Sequence, residues 1–385
     1  MFSDLPFIVI STFLSNASWK QSNKKIRKEL DLLNNFEENT PEFEKISNQL
    51  TKELLTIIQE QDIEDLTQSK TTNVLQLDID NALLEEALNE LNSLTMAGVG
   101  NGTTIDHIQV TYAKDDAFEW FGGTVNCKYL IAYKTQDDDF DTDFGYAGNV
   151  QFGIILRDSV IADISKSEAF ESDNDGKGST LSPKTTAVFS NITAIGPRAT
   201  LDNKGNTLYL AGAQIRRNSG ISIMNSIFAG WPTALLIDAS TGTAVDKNID
   251  DSTIRVRNCT FAGNTVNVKY VVNGTPTGAT DASILTWFSN AYHGNTILTT
   301  AAPDVLKLIQ PFNYKNPDFT PYASGGSFSS SIGSLGVAGH LDYKINGSFT
   351  DTKLQNAFFE KVTFRGAVAV SGDNQTWWKG WTVFK

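Results

Sequence analysis

Two short acidic motifs carry the side chains in this sequence that are best able to do chemistry. Asp115-Asp-Ala-Phe-Glu119 recurs 22 residues later as Asp137-Asp-Asp-Phe-Asp141, and a weaker third copy, Ser167-Glu-Ala-Phe-Glu171, follows after an insertion. Residues 137–143 hold five aspartates in seven positions. If equivalent positions of the copies stack, like charges lie about 5 Å apart, and a proton or a cation must come between them.

Carboxylates at this density are the hard oxygen ligands that Ca²⁺ prefers, unlike zinc or copper. Downstream, Glu171-Ser-Asp-Asn-Asp-Gly176 places acids at alternating positions before a glycine, as in the first half of a calcium loop, but Ser182 stands where an EF-hand needs Glu. We predict at least one structural Ca²⁺ site; the alternative is a solvated acidic edge whose aspartates bond turn amides. The candidate metal ligands are Asp115, Asp116, Glu119, Asp137, Asp138, Asp139, Asp141, Asp143, Glu171, Asp173 and Asp175.

The sequence singles out no catalytic arrangement. Its three histidines lack metal-ligand spacing, and no Ser/His/Asp order or phosphate-binding glycine loop is present. Lys114, Lys134 and Arg157 lie near the acidic motifs, but a lyase base needs a depressed pKa, which acidic neighbours oppose, so we expect salt-bridging surface residues. Asp116 and Asp138 could flank a groove as a hydrolase pair. We therefore favour a non-enzymatic role, with a lyase or hydrolase of acidic polysaccharide as the alternative.

Short strands must position these acids, because strand-like runs alternate with Gly, Asn and Asp clusters after residue 94. A second repeat, strand-Asn-x4-Gly, begins at Asn191, Asn225 and Asn258, spaced by 34 and 33 residues. A unit of 22 residues suits one coil of a parallel β-helix, and the longer spacing adds a loop. We predict a mainly β chain forming a right-handed single-stranded parallel β-helix, with an Asn amide ladder and Phe residues stacked inside. A β-sandwich is the rival fold.

The region before the strands is different in character. Apolar residues at helical spacing and the helix start Thr40-Pro41-Glu42 predict a small α-helical N-terminal region over residues 1–90, ahead of a β-helix domain over residues 91–385. The apolar run Leu5–Leu14 has the length of a signal-peptide core but lacks preceding positive residues. It is either a degenerate secretion signal or a buried or interfacial segment. We predict no transmembrane helix, and we expect residues 373–381 to cap the final coil.

Bulk composition narrows the partners. The net charge of −13 and pI near 4.7 exclude the basic surface that nucleic-acid binding needs, and they suit cation binding or an extracellular setting. Two cysteines, Cys127 and Cys259, are too few for a disulfide framework, so we expect buried free thiols. We expect a monomer whose partner is a polysaccharide or another cell-surface component.

The segments from Leu94 to Tyr112, from Asp115 to Gly123 and from Asp137 to Gly145, with Phe364-Arg-Gly-Ala367 and Gly380-Trp381 at the end, resemble a family of Bacteroidetes secreted or cell-surface parallel β-helix proteins. The resemblance runs from about Leu91 to the C-terminus, about three quarters of the chain. It implies an extracellular location, often with lipoprotein or type IX secretion features. It assigns no catalytic residues, because members of the family are mostly uncharacterised. Such proteins usually begin with a signal and earlier coils, so residues 1–90 are either an unusual cap or a foreign fusion.

Overall fold

The computed structural model describes residues 92–197, 205–273, 277–298, 308–310, 318–321, 347–369 and 373–384. The helical region predicted for residues 1–90 lies outside them, as does the apolar run at residues 5–14.

The described chain alternates between two nine-stranded sheets whose neighbouring strands are parallel. Sheet A contains β1 Leu94–Ala97, β3 Phe118–Phe121, β5 Phe140–Asp143, β7 Ser167–Glu168, β8 Phe170–Ser172, β10 Tyr209–Ala211, β11 Gln214–Arg216, β14 Thr233–Ala239 and β17 Val266–Val272. Sheet B contains β2 Thr104–Thr111, β4 Asn126–Tyr133, β6 Asn149–Leu156, β9 Val188–Ile195, β12 Ser222–Met224, β13 Ile227–Ala229, β15 Arg255–Arg257, β16 Thr260–Ala262 and β18 Thr296–Leu298.

Short helices and one separate pair of strands complete the described elements. The α-helices are α1 Lys247–Asp250 and α2 Asp281–Phe288, and the 3-10 helices are Ala291–His293, Thr352–Leu354 and Asp373–Gln375. Strands β19 Leu308–Gln310 and β20 Asp318–Pro321 form an antiparallel pair. Among these helices, none combines the length and the apolar character needed to cross a membrane.

The strand registers confirm the predicted repeat. Phe118 pairs with Phe140 and Phe140 pairs with Phe170, so the three acidic motifs lie side by side in sheet A. In sheet B, Ile108 pairs with Leu130, which is the same 22-residue step. The architecture is therefore mainly β and parallel, consistent with a parallel β-helix, while the right hand of the coil stays a prediction.

The space between the sheets is filled by apolar side chains. The side chains of Phe118, Phe140 and Phe170 are fully buried, and successive rings meet edge to face at 5.6 and 5.3 Å, which confirms the predicted Phe stack. Cys127 and Cys259 are free and buried, as expected.

A column of residues with left-handed backbone runs across sheet B at the bend inside each coil. Their φ angles lie between 51° and 66°, and the column contains His107, Tyr129, Phe152, Asn191, Asn225, Asn258 and Gly294. Asn and Gly tolerate this conformation, which explains the repeated Asn. At the first three positions of the column, the rings of His107, Tyr129 and Phe152 stack on one another, with centroids 4.5 and 5.2 Å apart.

The predicted Asn ladder lies elsewhere. Asn191 Nδ2 donates to the Phe364 and Gly366 carbonyls, and Asn225 bonds the backbone of Ser348 through both side-chain groups. Amide-to-amide bonds form instead from Asn149 Nδ2 to Asn126 Oδ1 at 2.7 Å, and from Asn248 Nδ2 to Asn218 Oδ1 at 3.2 Å. The stacking principle holds, but at other corners of the coil.

Residues 347–369 and 373–384, which we call the C-terminal segment, cover the outer face of sheet B. Their side chains complete two further apolar clusters with that face, one around Ile131, Ile154 and Trp378 and one around Met224 and Phe359. Because both faces of these strands are covered, burial is nearly continuous along β6 and complete along β9.

The expected cap on the final coil is wrong. Trp381 packs against His107, and Phe384 packs against Tyr133. The Val383 amide donates to Gln109 Oε1 at 2.8 Å. These partners belong to β2 and β4, the first strands of sheet B rather than the last.

Candidate metal centre

The acidic residues of the three motif copies gather on the outer face of sheet A. Glu119, Asp141 and Glu171 pair as neighbours on β3, β5 and β8, each directly after a buried Phe, because successive side chains of a strand point to opposite faces. They line a cavity of about 400 Å³. Its walls are formed by Asn92, Asp115, Asp116, Glu119, Asp137, Asp138, Asp141, Ser165, Lys166, Glu171, Arg216 and Arg217.

Backbone amides hold the acids of the preceding loops in register. Asp138 N donates to Asp116 Oδ1 at 2.9 Å, and Glu168 N donates to Asp138 Oδ1 at 2.6 Å. Each loop aspartate therefore binds the amide at the equivalent position of the next coil. This places Asp116 beside Asp138, as the motif spacing predicts.

Three groups of carboxylates are close enough to share an ion. Within each group, one ligand oxygen from every residue lies within 4.8 Å of the others. The groups are Asp115, Asp116 and Asp137; Asp116, Glu119 and Asp141; and Asp138, Glu168 and Glu171. Eight carboxylates are thus concentrated in one small volume, a donor set that suits Ca²⁺.

Positive charge enters the cavity from β11 and the residue after it. Arg216 pairs with Glu171 and, at 2.8 Å, with Asp173, while Arg217 pairs with Asp173 at 2.5 Å. Burial lowers the pKa of Arg216, but Glu171 and Asp173 outweigh it and the pKa is raised. Both guanidinium groups are already partly neutralised by Asp173, so they offset only part of the negative charge.

The carboxyl groups in the cavity hold protons more tightly than usual. Burial, with repulsion from Asp115 and Asp143, raises the pKa of Glu119 to about 8. Burial raises the pKa of Glu171 to about 8 although Arg216 opposes it. Burial first, and neighbouring acids second, place the pKa values of Asp116, Asp138 and Asp141 well above the usual range. Without a cation, we therefore expect Glu119 and Glu171 to hold protons near pH 7.

Four of the predicted ligands have other partners or lie beside the three groups. Asp139 turns inward and forms a fully buried ion pair with Arg157 at 2.7 Å. Asp173 pairs with Arg216 and Arg217, and Asp143 accepts the Phe144 amide at 2.6 Å. Asp175 accepts from Ser179 Oγ and the Lys177 amide, hydrogen bonds that outweigh burial and hold its pKa below the usual value.

Several residues of the site were missed. Glu168 occupies the position in the third motif that Asp138 holds in the second, so the repeat itself contained the signal. Arg216 binds Glu171 although it lies 45 residues further along the chain, and no local sequence pattern predicts this contact. Arg157 was expected to be a surface residue with an acidic partner. It has such a partner, Asp139, but it is fully buried.

A family model described as the pectate-lyase-like β-helix domain matches residues 77–302, more than half of the chain. The chain belongs to this family. Neither a curated protein nor a solved structure matches it. Membership in the pectate-lyase-like β-helix family fits a carbohydrate-related protein and agrees with the two parallel sheets.

Proposed function

We propose that this pectate-lyase-like β-helix protein acts outside the cell or on its surface, where it binds glycan or another surface component with the help of Ca²⁺ in the acidic cavity, without catalysis. The observation that supports this most directly is the convergence of eight carboxylates in three groups on one sheet face. Among the residues that the structure describes, three basic side chains, Lys166, Arg216 and Arg217, share the cavity walls.

A bound cation would resolve the charge imbalance. Like charges in a partly desolvated cavity repel, and protonation or a divalent ion is needed to neutralise them. Ca²⁺ takes six to eight oxygen ligands, so an ion held by three carboxylates keeps positions for other oxygens. Hydroxyl or carboxylate oxygens of a sugar can fill those positions, which connects the cation to a carbohydrate partner.

Melting of the full chain with Ca²⁺ and with chelator tests the metal part. Asp115→Asn should reduce the Ca²⁺-induced rise in melting temperature, while Asp250→Asn, an exposed residue of α1, should leave it unchanged. Retention on immobilised pectin or alginate, measured with Ca²⁺ and with chelator, tests the glycan part. Equal melting temperatures in Ca²⁺ and chelator would remove the cation from the proposal, and equal retention would remove its role in binding.

Glycoside hydrolysis is the second candidate because of one observation. With its pKa raised to about 8, Glu119 is protonated near neutral pH, as a general acid must be, and ionisable carboxyl groups lie beside it. A lyase is less favoured, because the raised pKa of Arg216 opposes its use as a base. Release of reducing ends from acidic polysaccharide, lost in Glu119→Gln, would support hydrolysis; no release by the wild type would reject it.

A further inference from the structure

Glu168 is a buried carboxylate that lacks the usual partners. Its exposed fraction is 1%, and neither Oε1 nor Oε2 receives a hydrogen bond from an N–H or hydroxyl group of the described residues. A buried carboxylate left in this state costs several kcal/mol unless a proton or a cation compensates it. Glu168 therefore calls for a ligand at its carboxylate.

The neighbours of Glu168 are the remaining ligands of a site. Oxygens of Asp138, Glu168 and Glu171 lie within 4.8 Å of one another. Asp138 uses Oδ1 to accept the Glu168 amide, and Glu171 uses Oε2 to bind Arg216. Each of the two residues thus keeps a second oxygen for an ion. Asp138 and Glu171 also line the cavity, which provides a route for the ion to enter.

The main chain behind this group is fixed from inside the fold. The Arg157 guanidinium donates to the carbonyl groups of Asp137 and Glu168, and at 2.6 Å to that of Thr135. One buried side chain therefore ties together the loops that carry Asp138 and Glu168. The backbone positions from which the two carboxylates project are therefore held by the fold, as an organised metal site requires.

We propose that Asp138, Glu168 and Glu171 form an inner site that binds a second divalent cation, most suitably Ca²⁺, separate from the outer ion of the acidic cavity. The outer group of Asp115, Asp116 and Asp137 shares no residue with the inner group, so both can be filled together. The middle group shares Asp116 with the outer one and competes with it. The inner ion is structural, because its ligands are more buried, and the outer ion remains exchangeable; this rests on the proposed cation binding.

Equilibrium dialysis of the full chain against Ca²⁺ alone, near pH 8, measures the number of bound ions. We expect two per chain in the wild type and one in Glu168→Gln. Asp116→Asn removes the ligand that the outer and middle groups share, so we expect one ion there as well. The ion left in Asp116→Asn should dissociate more slowly into chelator than the ion left in Glu168→Gln. Asp250→Asn is the control for the loss of one negative charge and should keep two.

The outcomes separate this inference from the proposed function. Glu168→Gln resembles the protonated acid in shape and charge, and its circular dichroism and melting in chelator show whether it folds. If the folded variant binds as many ions as the wild type, or if the wild type binds one ion that only Asp116→Asn removes, the inner site is rejected and the outer ion stands. If the wild type binds none, both proposals fail. If Glu168→Gln does not fold, Tb³⁺ titration of the wild type decides, since a single class of site would reject the inner ion.

Discussion

The Arg157 guanidinium and the Asp139 carboxylate form an ion pair with Nε and Oδ2 2.7 Å apart, and both side chains are fully buried. Burial outweighs the attraction of Arg157 and raises the pKa of Asp139 to about 6. Arg157 also packs over the ring of Tyr209, with Cζ 5.5 Å from the ring centroid. The pair therefore connects the acidic loops to β10.

Replacing Arg157 should destabilise the fold through this pair. Arg157→Met leaves the Asp139 carboxylate buried without its cation, so we expect the free energy of unfolding to fall by about 3–5 kcal/mol. Urea denaturation measures the loss. Arg157→Met combined with Asp139→Asn should lose less than Arg157→Met alone, because the uncompensated charge is removed. Strictly additive losses would show that the two side chains are not energetically coupled.

The stability of the Ca²⁺-free protein should depend on pH with a defined sign. The pKa values of Glu119 and Glu171 are raised to about 8, and that of Glu168 to about 7, above the values of unfolded chains. The folded state therefore binds more protons between about pH 4.5 and 8, and its stability falls as pH rises through that window. Urea denaturation in chelator at about pH 5 and pH 8 tests this.

The stabilisation of the folded protein by Ca²⁺ should have the opposite pH dependence, because Ca²⁺ competes with these protons for the carboxylates. The gain in unfolding free energy on adding Ca²⁺ should be larger at about pH 8 than at about pH 5. Glu119→Gln should flatten the pH dependence in chelator, whereas Asp250→Asn, whose carboxylate is exposed, should not. If the Ca²⁺-free protein in chelator becomes more stable as pH rises through this window, the result would contradict the raised pKa values.

The sequence predicted the part of the site that depends on local repetition. The repeated acidic motif determines which residues face the core and which face outward, because side chains alternate along a strand. Its 22-residue spacing sets the register of the strands. Glu119, Asp141 and Glu171 were therefore found together. The insertion before the third copy did not hide it, because the Ala-Phe-Glu run is intact.

The remaining features depend on contacts between distant residues. Gln109 contacts Val383, 274 residues away, and Asp351 binds both Arg255 and Arg257. No local pattern records such pairs, so residues 373–381 were assigned to the last coil, although Trp381 packs against His107 of β2. Arg157 was placed at the surface because a single arginine in an acidic sequence carries no sign of burial, and only the fold shows four acceptors around it.

Trp378 should be a major contributor to the attachment of the C-terminal segment. Its exposed fraction is 5%, and it belongs to the apolar cluster on the outer face of sheet B. Trp378→Ala should lower the free energy of unfolding by about 3 kcal/mol, since a large side chain is removed from a packed site. Val383→Ala, at a residue that is 42% exposed, is the control and should have a small effect.

Trp378 packs on the outer face of sheet B, whereas the acidic cavity lies on the outer face of sheet A. Trp378→Ala should therefore keep the Ca²⁺ stoichiometry of the wild type. Thermal or urea denaturation gives the stability, and equilibrium dialysis gives the ion count. A loss in Trp378→Ala no larger than that in Val383→Ala would show that the cluster contributes little to holding the segment.

Asn225 combines a conformational role with a bonding role, and two substitutions separate them. Its φ is 51°, Oδ1 accepts the Ser348 amide at 2.8 Å, and Nδ2 donates to the Ser348 carbonyl at 3.1 Å. Asn225→Gly loses these two bonds and the one from Nδ2 to Ser190 Oγ at 3.3 Å but adopts the left-handed backbone easily, whereas Asn225→Ala loses the same bonds and is strained. We expect Asn225→Ala to be less stable than Asn225→Gly by about 1 kcal/mol, and both to be less stable than the wild type. Urea denaturation ranks the three proteins, and an alanine variant as stable as the glycine variant would show that the left-handed bend carries no cost at this position.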